Sequence, residues 1–198
     1  MDTKNHIELF RQVVKKIDPK LPSDALEYLE KGLLEKQYKK NQFFLDPFSK
    51  HKEIGFIAEG LVRGYYINFK GEEITTRFNA EGSFVTDYSA FLNQTNSQYY
   101  FQCLEPSTFL CFDYKHINEG YRAYPVLERF GRLIAEFIVN MLENRLRSFH
   151  FLDAEKRYLQ FIEQYPQLAN RVTIKHLSSY LGVARPSLSR IRKKILER

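Results

Sequence analysis

Cysteine is scarce in this sequence. Only Cys103 and Cys111 occur among its 198 residues, so neither a disulfide framework nor a four-cysteine zinc or iron–sulfur site can form within one chain. Both fall in strand-like runs and are predicted to be small buried hydrophobic residues. No apolar run approaches the ~18 residues that a membrane helix needs, and the start of the chain lacks the apolar block of a signal peptide. We expect a cytoplasmic protein with no membrane partner.

Motifs for catalysis and metal binding are missing as well. The β-rich region contains no His-x-His pair of the kind that a metal-binding cupin uses. The chain also has no Gly-x-Ser-x-Gly, no P-loop and no paired-cysteine signature. The histidines are scattered along the chain, at His6, His51, His116, His150 and His176. The sequence therefore predicts no bound metal and argues against an enzyme.

What the sequence does contain is an ordinary globular composition with an uneven distribution of charge. Hydrophobic residues make up 43% of the chain and charged residues 27%, which excludes extensive disorder. The formal net charge is +6, yet residues 171–198 alone carry three lysines and five arginines against one acid, Glu197, a balance of +7 that leaves −1 for the rest. Apolar residues recur regularly between these cations. The segment is therefore predicted to be a folded module that binds a polyanion.

The apolar spacing changes twice along the chain. Up to about Lys40 it has the three- and four-residue steps of a helix and predicts two short helices. From Gln42 to about Tyr114, short pieces rich in β-branched and aromatic residues are punctuated by glycine and asparagine. These pieces predict an antiparallel barrel or sandwich, with a hairpin tip at Lys70-Gly71.

A long helix is predicted from Pro125 to about His150, with two apolar stripes. One stripe has the steps of a coiled-coil seam and consists of Leu127, Phe130, Ile134, Phe137 and Met141. The other consists of Ile138, Leu142, Leu146 and Phe149. Either both stripes are buried within one monomer, or one packs on the β-rich domain while the seam pairs with its twin in a homodimer. We favour the homodimer.

Helical spacing continues to the end of the chain, in three helices at about 156–165, 173–180 and 184–196. Asp153 and Thr173 are suited to cap the first two, because their side-chain oxygens can accept hydrogen bonds from free helix amides. No Gly/Ser-rich linker separates the parts. We expect two domains, one of residues 1–150 that includes the β-barrel and the long helix, and one of residues 151–198.

The last two of these helices have the pattern of a helix-turn-helix. Ser178 is small where the two helices approach closely, and Gly182 supplies the turn because a positive φ costs glycine little. The inward-facing positions are apolar: Ile174, Leu177, Val183, Leu188, Ile191 and Ile195. The alternative is an ordinary helical hairpin with a charged face, but it does not explain why the positive charge concentrates here.

The opposite face of the last helix gathers cations and hydroxyl groups. Side chains near the helix start can reach base edges in the major groove, and cations further along can meet phosphates. Arg185 and Arg190 are predicted to read bases, because one arginine side chain can donate two hydrogen bonds to one guanine. The other predicted DNA contacts are Ser187, Ser189, Lys193, Lys194, Thr173 and His176. Double-stranded DNA is therefore the expected partner.

With these features the chain resembles the Crp/Fnr superfamily of bacterial transcription regulators over nearly its whole length. The motif VARPSLSRIRKKI looks like the family's recognition helix, whose pattern Arg-Glu-x-x-x-Arg carries over to Arg185 and Arg190, with Pro186 in place of the acid. The resemblance implies an α+β fold with N-terminal helices, an antiparallel β-barrel of cyclic-nucleotide-binding type (a double-stranded β-helix), a long dimerisation helix and a C-terminal helix-turn-helix with a minimal wing or none. It also implies a homodimer on an inverted-repeat operator, with RNA polymerase as a further partner.

The segment that would bind cyclic AMP departs from the family pattern. Relatives that bind this nucleotide grip it with a Gly-Glu-Leu segment and a later Arg-Ser pair, where this chain has Thr86 and Asp87, then Ser97 and Gln98. The phosphate-pairing arginine is missing, so neither cyclic AMP nor another cofactor is expected. An unidentified small-molecule effector would bind beside Thr86, Asp87, Ser97, Gln98 and Tyr99. The alternative function is a ligand-binding signalling module without a DNA role.

Overall fold

The computed structural model describes residues 3–48 and 53–197, which form two compact units. The first unit contains the residues up to Gly64 together with Phe78–Phe137. The second contains Tyr65–Arg77 together with the residues from Ile138 onward. The predicted helix-turn-helix therefore shares its unit with a distant hairpin segment and with the second half of the long helix.

The first unit begins with two helices, α1 (Thr3–Ile17) and α2 (Ser23–Lys31). The chain then enters strand β1 (Leu34–Tyr38), which pairs antiparallel with Ser107–Asp113. The prediction of helix up to about Lys40 is therefore wrong from Leu34 onward. The helical spacing of the leucines runs into this segment, but backbone pairing with a strand far along the chain decides its conformation.

The described strands form two four-stranded sheets, in the orders β1-β8-β3-β6 and β2-β7-β4-β5. The remaining strands are β2 (Phe43–Leu45), β3 (Glu53–Glu59), β4 (Val62–Ile67), β5 (Glu73–Asn79), β6 (Phe84–Val85), β7 (Tyr100–Cys103) and β8 (Ser107–Asp113). The predicted α+β fold with an antiparallel β-barrel is confirmed. The expected hairpin tip is also present, since Gly71 has a φ of +77° and donates to the Asn68 carbonyl. Two short helices were not predicted, α3 (Tyr88–Asn93) and α4 (Tyr114–Ala123).

Alternation along the strands gives the first unit two hydrophobic cores. In β3, Phe56 packs in a core with the helices α1 and α2, whereas its neighbour Ile57 packs in a second core between the strands. Cys103 and Cys111 lie in that second core, which confirms the prediction that they are buried. Burial raises the pKa of Cys103 to about 11 and that of Cys111 to about 12, so both thiols are protonated at neutral pH.

The C-terminal helices begin and end close to the predicted positions. They are α5 (Val126–Phe151), α6 (Ala154–Gln164), α7 (Ile174–Leu181) and α8 (Arg185–Leu196), with a 3-10 turn at Pro166–Leu168. The predicted cap of α6 is confirmed, because Asp153 Oδ1 accepts from the Lys156 amide at 2.8 Å. Within residues 3–48 and 53–197, no helix has the length and apolar composition needed to cross a membrane.

Candidate nucleic-acid interface

Helices α7 and α8 meet at a turn whose geometry depends on Gly182. This glycine has a φ of +65°, and its amide donates to the Ser179 carbonyl at 3.3 Å. The next amide, of Val183, donates to the Ser178 carbonyl at 3.0 Å. These two bonds form a Schellman motif, the usual way in which glycine ends a helix. The predicted glycine turn is therefore confirmed.

Two arginines from other helices complete the C-terminal cap of α7. The last four carbonyls of a helix have no partner within it, and the Schellman motif satisfies only two of them. Arg145 of α5 donates to the Tyr180 carbonyl at 2.8 Å, and Arg157 of α6 donates to the Leu181 carbonyl at 3.0 Å. Both cations also lie at the negative end of the helix dipole. The turn is therefore held by α5 and α6 as well as by its own backbone.

The inward faces of the two helices bury two of the predicted anchors, Leu177 and Leu188, and half-bury the other four: Ile174, Val183, Ile191 and Ile195. Ser178 is buried, as expected of a small residue at the crossing of the helices, and Leu177, Leu181 and Leu188 are buried around it. At the start of α7, Thr173 caps the helix by accepting from the His176 amide at 3.3 Å. The sequence prediction of this cap is confirmed. Because apolar burial holds both helices and a side-chain cap holds the start of α7, the outer face of α8 is held in one orientation.

The outer face of α8 displays most of the predicted DNA-contacting side chains to solvent. Arg185 lies in the first turn, beside Pro186, whose missing amide would have no helical partner there. Ser187 and His176 are half-buried. The exposed members of the set are Thr173, Arg185, Ser189, Arg190, Lys193 and Lys194. The structure therefore brings hydroxyl groups and cations together on one helix without a buried charge among them.

The two predicted lysines differ in their surroundings. Lys194 Nζ lies 2.7 Å from the Glu155 carboxylate on α6, whereas Lys193 Nζ lies 3.8 Å from Glu197 one turn along its own helix. Lys194 is therefore partly neutralised by a second helix. Neither Glu155 nor the two capping arginines, Arg145 and Arg157, was identified from the sequence. A signal for Arg145 exists, because it stands on the long helix at the three- and four-residue spacing of apolar residues.

Three of the five residues predicted to surround an effector, Asp87, Ser97 and Tyr99, are joined by hydrogen bonds. Asp87 caps α3 by accepting from the Ala90 amide at 3.2 Å, and its second carboxylate oxygen accepts from Ser97 Oγ at 2.8 Å. The Tyr99 amide donates to the same Ser97 hydroxyl at 2.9 Å. Thr86 is buried and donates to the Glu53 carbonyl at 3.3 Å, whereas Gln98 is exposed. Asp87 and Ser97 thus have structural partners within the chain.

The predicted coiled-coil seam of α5 is divided between buried and exposed positions. Leu127 and Phe130 are 1% and 7% exposed and belong to the core of their own chain, and Ile134 packs against that core. Met141 is half-buried, and only Phe137, at 70%, is freely exposed. Leu127 and Phe130 therefore pack within their own chain, in a core that also contains residues of α1 and α2.

The second stripe of α5 shows the opposite behaviour. Leu142 is 48% exposed and Leu146 is 58% exposed, four residues further along the same helix face. Val139, three residues before Leu142, is exposed as well. Leu142 and Leu146 belong to the second predicted stripe, of which Ile138 is half-buried, whereas Val139 belongs to neither stripe. We call Val139, Leu142 and Leu146 the free apolar face.

Metal coordination finds no support in the described residues. Within the described residues, 3–48 and 53–197, no group of three or more histidine, cysteine, aspartate or glutamate side chains is placed to hold a metal ion. His51 lies outside the described residues.

The fold is that of the Crp/Fnr regulators. No protein-family model matches the chain, and no curated protein matches it significantly. Among solved structures, it is similar to FixK2 from Bradyrhizobium japonicum, with a TM-score of 0.75 and 12% identity over 83% of this chain and 85% of that one. It is also similar to the c-di-GMP responsive global regulator CLP from Xanthomonas campestris, with a TM-score of 0.70 and 14% identity over 89% and 92% of the two chains.

A third similar structure is a mutant of CooA from Carboxydothermus hydrogenoformans. Its TM-score is 0.67, with 17% identity over 85% of this chain and 78% of that one. The likeness thus extends over most of each chain, although the sequences share few residues.

Proposed function

We propose that this protein is a sequence-specific DNA-binding transcription regulator that acts as a homodimer on an inverted-repeat operator. The observation that carries the proposal is the exposed face of α8, where Arg185, Ser189 and Arg190 project from a helix that the buried Leu188 anchors. A helix of this diameter fits the major groove, and its first residues reach the base edges. The Crp/Fnr-like fold supports the same function.

The exposed side chains divide into two roles. Arg185 and Arg190 can each donate two hydrogen bonds to one guanine, so they would read sequence, together with Ser187 or Ser189. Lys193, one turn from the helix end, would meet phosphates and add affinity for any duplex. Thr173 and His176, at the N-terminus of α7, lie where a backbone phosphate would meet free helix amides.

The homodimer places two such helices on one duplex. Dimeric helix-turn-helix proteins read half-sites about one helical turn, roughly 34 Å, apart, and this requires a two-fold interface. The apolar face Val139, Leu142 and Leu146 provides that interface, because exposed apolar residues at three- and four-residue spacing pair well with a second copy of the same helix. RNA polymerase and an unidentified effector complete the proposed set of partners.

Binding of duplex DNA over a range of salt concentrations tests this function. The wild-type protein should bind, with an affinity that falls steeply as salt rises, because phosphate contacts release counterions. Arg185→Ala or Arg190→Ala should relax the preference for one base position by about 1–3 kcal/mol. Lys193→Ala should weaken all duplexes alike and lower the salt slope by about 1.

The outcomes separate the competing functions. If the wild-type protein ignores duplex DNA at low salt, the ligand-binding signalling module without a DNA role becomes the better description. If Arg185→Ala and Lys193→Ala weaken every duplex equally, DNA binding stands but the division into base and phosphate contacts is wrong.

A further inference from the structure

The second compact unit contains both the free apolar face of α5 and the helix α8. The path from the proposed dimer interface to the proposed recognition helix therefore runs within one unit. If two copies pair through this face, contacts within the unit decide how far apart the two α8 helices lie and how they are turned. The connection between α5 and the helix-turn-helix is therefore the part of the molecule that sets this separation.

The C-terminal ends of α5 and α7 converge on Arg157 of α6. The Leu152 amide donates to the Ser148 carbonyl at 3.1 Å, which continues the hydrogen-bond pattern of α5, so the Leu152 carbonyl lies at the negative end of that helix. Arg157 donates from Nη1 to this carbonyl at 2.6 Å and from Nε to the Leu181 carbonyl at the end of α7 at 3.0 Å. One guanidinium thus bridges two negative helix ends.

Phe149 of α5 lies between this bridge and the turn of the helix-turn-helix. Its ring centre is 5.1 Å from the central guanidinium carbon of Arg157 and 4.9 Å from that of Arg145, both within the range of a cation–π interaction. A β-carbon at Gly182 would lie 2.8 Å from Cε1 of this ring, so the ring lies directly against the turn. The end of α5 is therefore packed on the turn as well as bridged to α7.

The chemistry of the bridge restricts the angle between the two helices. The Leu181 carbonyl is among the last four of α7 and the Leu152 carbonyl follows the end of α5, so neither has a partner within its own helix. A guanidinium holds its N–H groups in one plane, and two carbonyls that bind it are therefore fixed in their relative directions. The angle between α5 and α7 thus depends on the geometry of these hydrogen bonds as well as on the connection through α6.

We propose that Arg157 is a positioning residue that fixes the helix-turn-helix on α5 and thereby determines which separation of two half-sites the homodimer accepts. The inference rests on the proposed function. Each additional base pair between two half-sites moves the second one by about 3.4 Å and turns it by about 34°. A dimer with a rigid connection at Arg157 therefore prefers one spacing, whereas a dimer with a loose connection tolerates several.

The test measures binding of the full-length protein to duplexes that differ only in the spacing of two inverted half-sites. The half-site is the one that the wild-type protein selects from random-sequence duplexes, and the spacers differ by one base pair each. The wild-type protein should bind one spacing best. Arg157→Gln should bind that spacing about tenfold more weakly and its neighbours no more weakly than the wild-type protein does, because a loose connection lowers the effective concentration of the second helix at the best spacing.

Three controls separate this role from general stability and charge. Binding of Arg157→Gln to a single half-site should match that of the wild-type protein, since the contacts of α8 are unchanged. Lys156→Gln, which removes one positive charge from an exposed neighbour on the same helix, should keep the wild-type spacing profile. Arg157→Lys retains the charge but loses the planar fork, so its profile should lie between the other two. Arg145 is less suited to the test, because it also donates to the Thr75 carbonyl at 3.2 Å.

The results that would overturn the proposal are distinguishable. If Arg157→Gln binds the half-site normally and keeps the wild-type spacing profile, Arg157 does not position the helix-turn-helix, and the proposed function survives. If Arg157→Gln loses half-site binding and operator binding equally, Arg157 only stabilises the fold. If the wild-type protein binds every spacing alike, no residue sets a separation. If the wild-type protein does not bind duplex DNA at all, the proposed function fails and the inference fails with it.

Discussion

At the scale of single residues, Gly182 is a position that strictly limits substitution. Its φ of +65° disfavours any side chain, and a β-carbon there would lie 2.8 Å from Cε1 of Phe149. Gly71 has a similar φ of +77°, but a β-carbon at that position would meet nothing within 4 Å. Comparing alanine substitutions at these two glycines therefore separates the cost of backbone strain from the cost of steric overlap.

Gly182→Ala should destabilise the protein more than Gly71→Ala. The left-handed backbone alone costs an alanine about 1 kcal/mol, and the overlap with Phe149 should add about 1 kcal/mol or more. Urea denaturation followed by circular dichroism measures both free energies of unfolding. Equal losses in the two variants would show that Phe149 moves aside without cost.

At the scale of elements, a carboxylate of α6 pairs with one of the lysines of α8. The Glu155 carboxylate of α6 lies 2.7 Å from Lys194 Nζ, so this lysine meets DNA only by giving up its partner or sharing it. Lys194 is more than half exposed, so the pair adds little to stability. Its effect on a bound polyanion is larger, because a carboxylate beside a phosphate contact repels the backbone.

Glu155→Gln should strengthen binding to duplexes of any sequence and steepen the salt dependence by up to about 0.9 in the logarithmic slope, the contribution of one additional phosphate contact. Glu163→Gln is the matched control, since it removes the same charge from the same helix without touching Lys194. Filter binding or fluorescence anisotropy at several salt concentrations gives both slopes. Equal effects of the two variants would mean that only net charge matters.

At the scale of the whole molecule, the free apolar face of α5 is a surface that a single chain leaves exposed. Val139, Leu142 and Leu146 are exposed in the second unit, whereas Leu127 and Phe130 are buried in the first. Burial of such residues against a second copy removes apolar surface from water. A second copy also brings a second recognition helix, and the gain in effective concentration raises the affinity for a two-part operator.

The double variant Leu142→Glu, Leu146→Glu should be monomeric, because it places like charges opposite one another in the proposed interface. Sedimentation equilibrium should show a dimer for the wild-type protein and for the control Asn144→Glu, whose side chain is exposed two residues from each leucine. The monomeric variant should also bind an inverted repeat no more tightly than a single half-site. A wild-type protein that sediments as a monomer would contradict the homodimer.

The parts of the fold that the sequence predicted correctly depend on neighbouring residues. The caps at Asp153 and Thr173, the turn at Gly182 and the burial of Ser178 all follow from rules that operate within a few positions of the chain. The short β-rich pieces and the final helices were predictable for the same reason. The Crp/Fnr-like architecture and the candidate recognition face could therefore be identified before the structure was known.

The parts of the fold that could not be predicted from the sequence depend on contacts between segments that lie far apart along the chain. Leu34–Tyr38 is a strand because β8 pairs with it, and Leu127 is buried because α1 and α2 cover it. The sequence could not show which α5 side chains a single chain leaves exposed, since both stripes have the same periodicity and only tertiary packing distinguishes them.

The sequence by itself determined where the C-terminal helices of this protein begin, which helix carries the cations, and how the last two helices are joined. Only the tertiary structure decided that Lys194 is paired, that Asp87 and Ser97 are bonded to each other, and that the hairpin Tyr65–Arg77 lies with the helix-turn-helix. Local backbone preferences are encoded within a few residues, whereas each of these contacts requires groups that only the folded chain brings together.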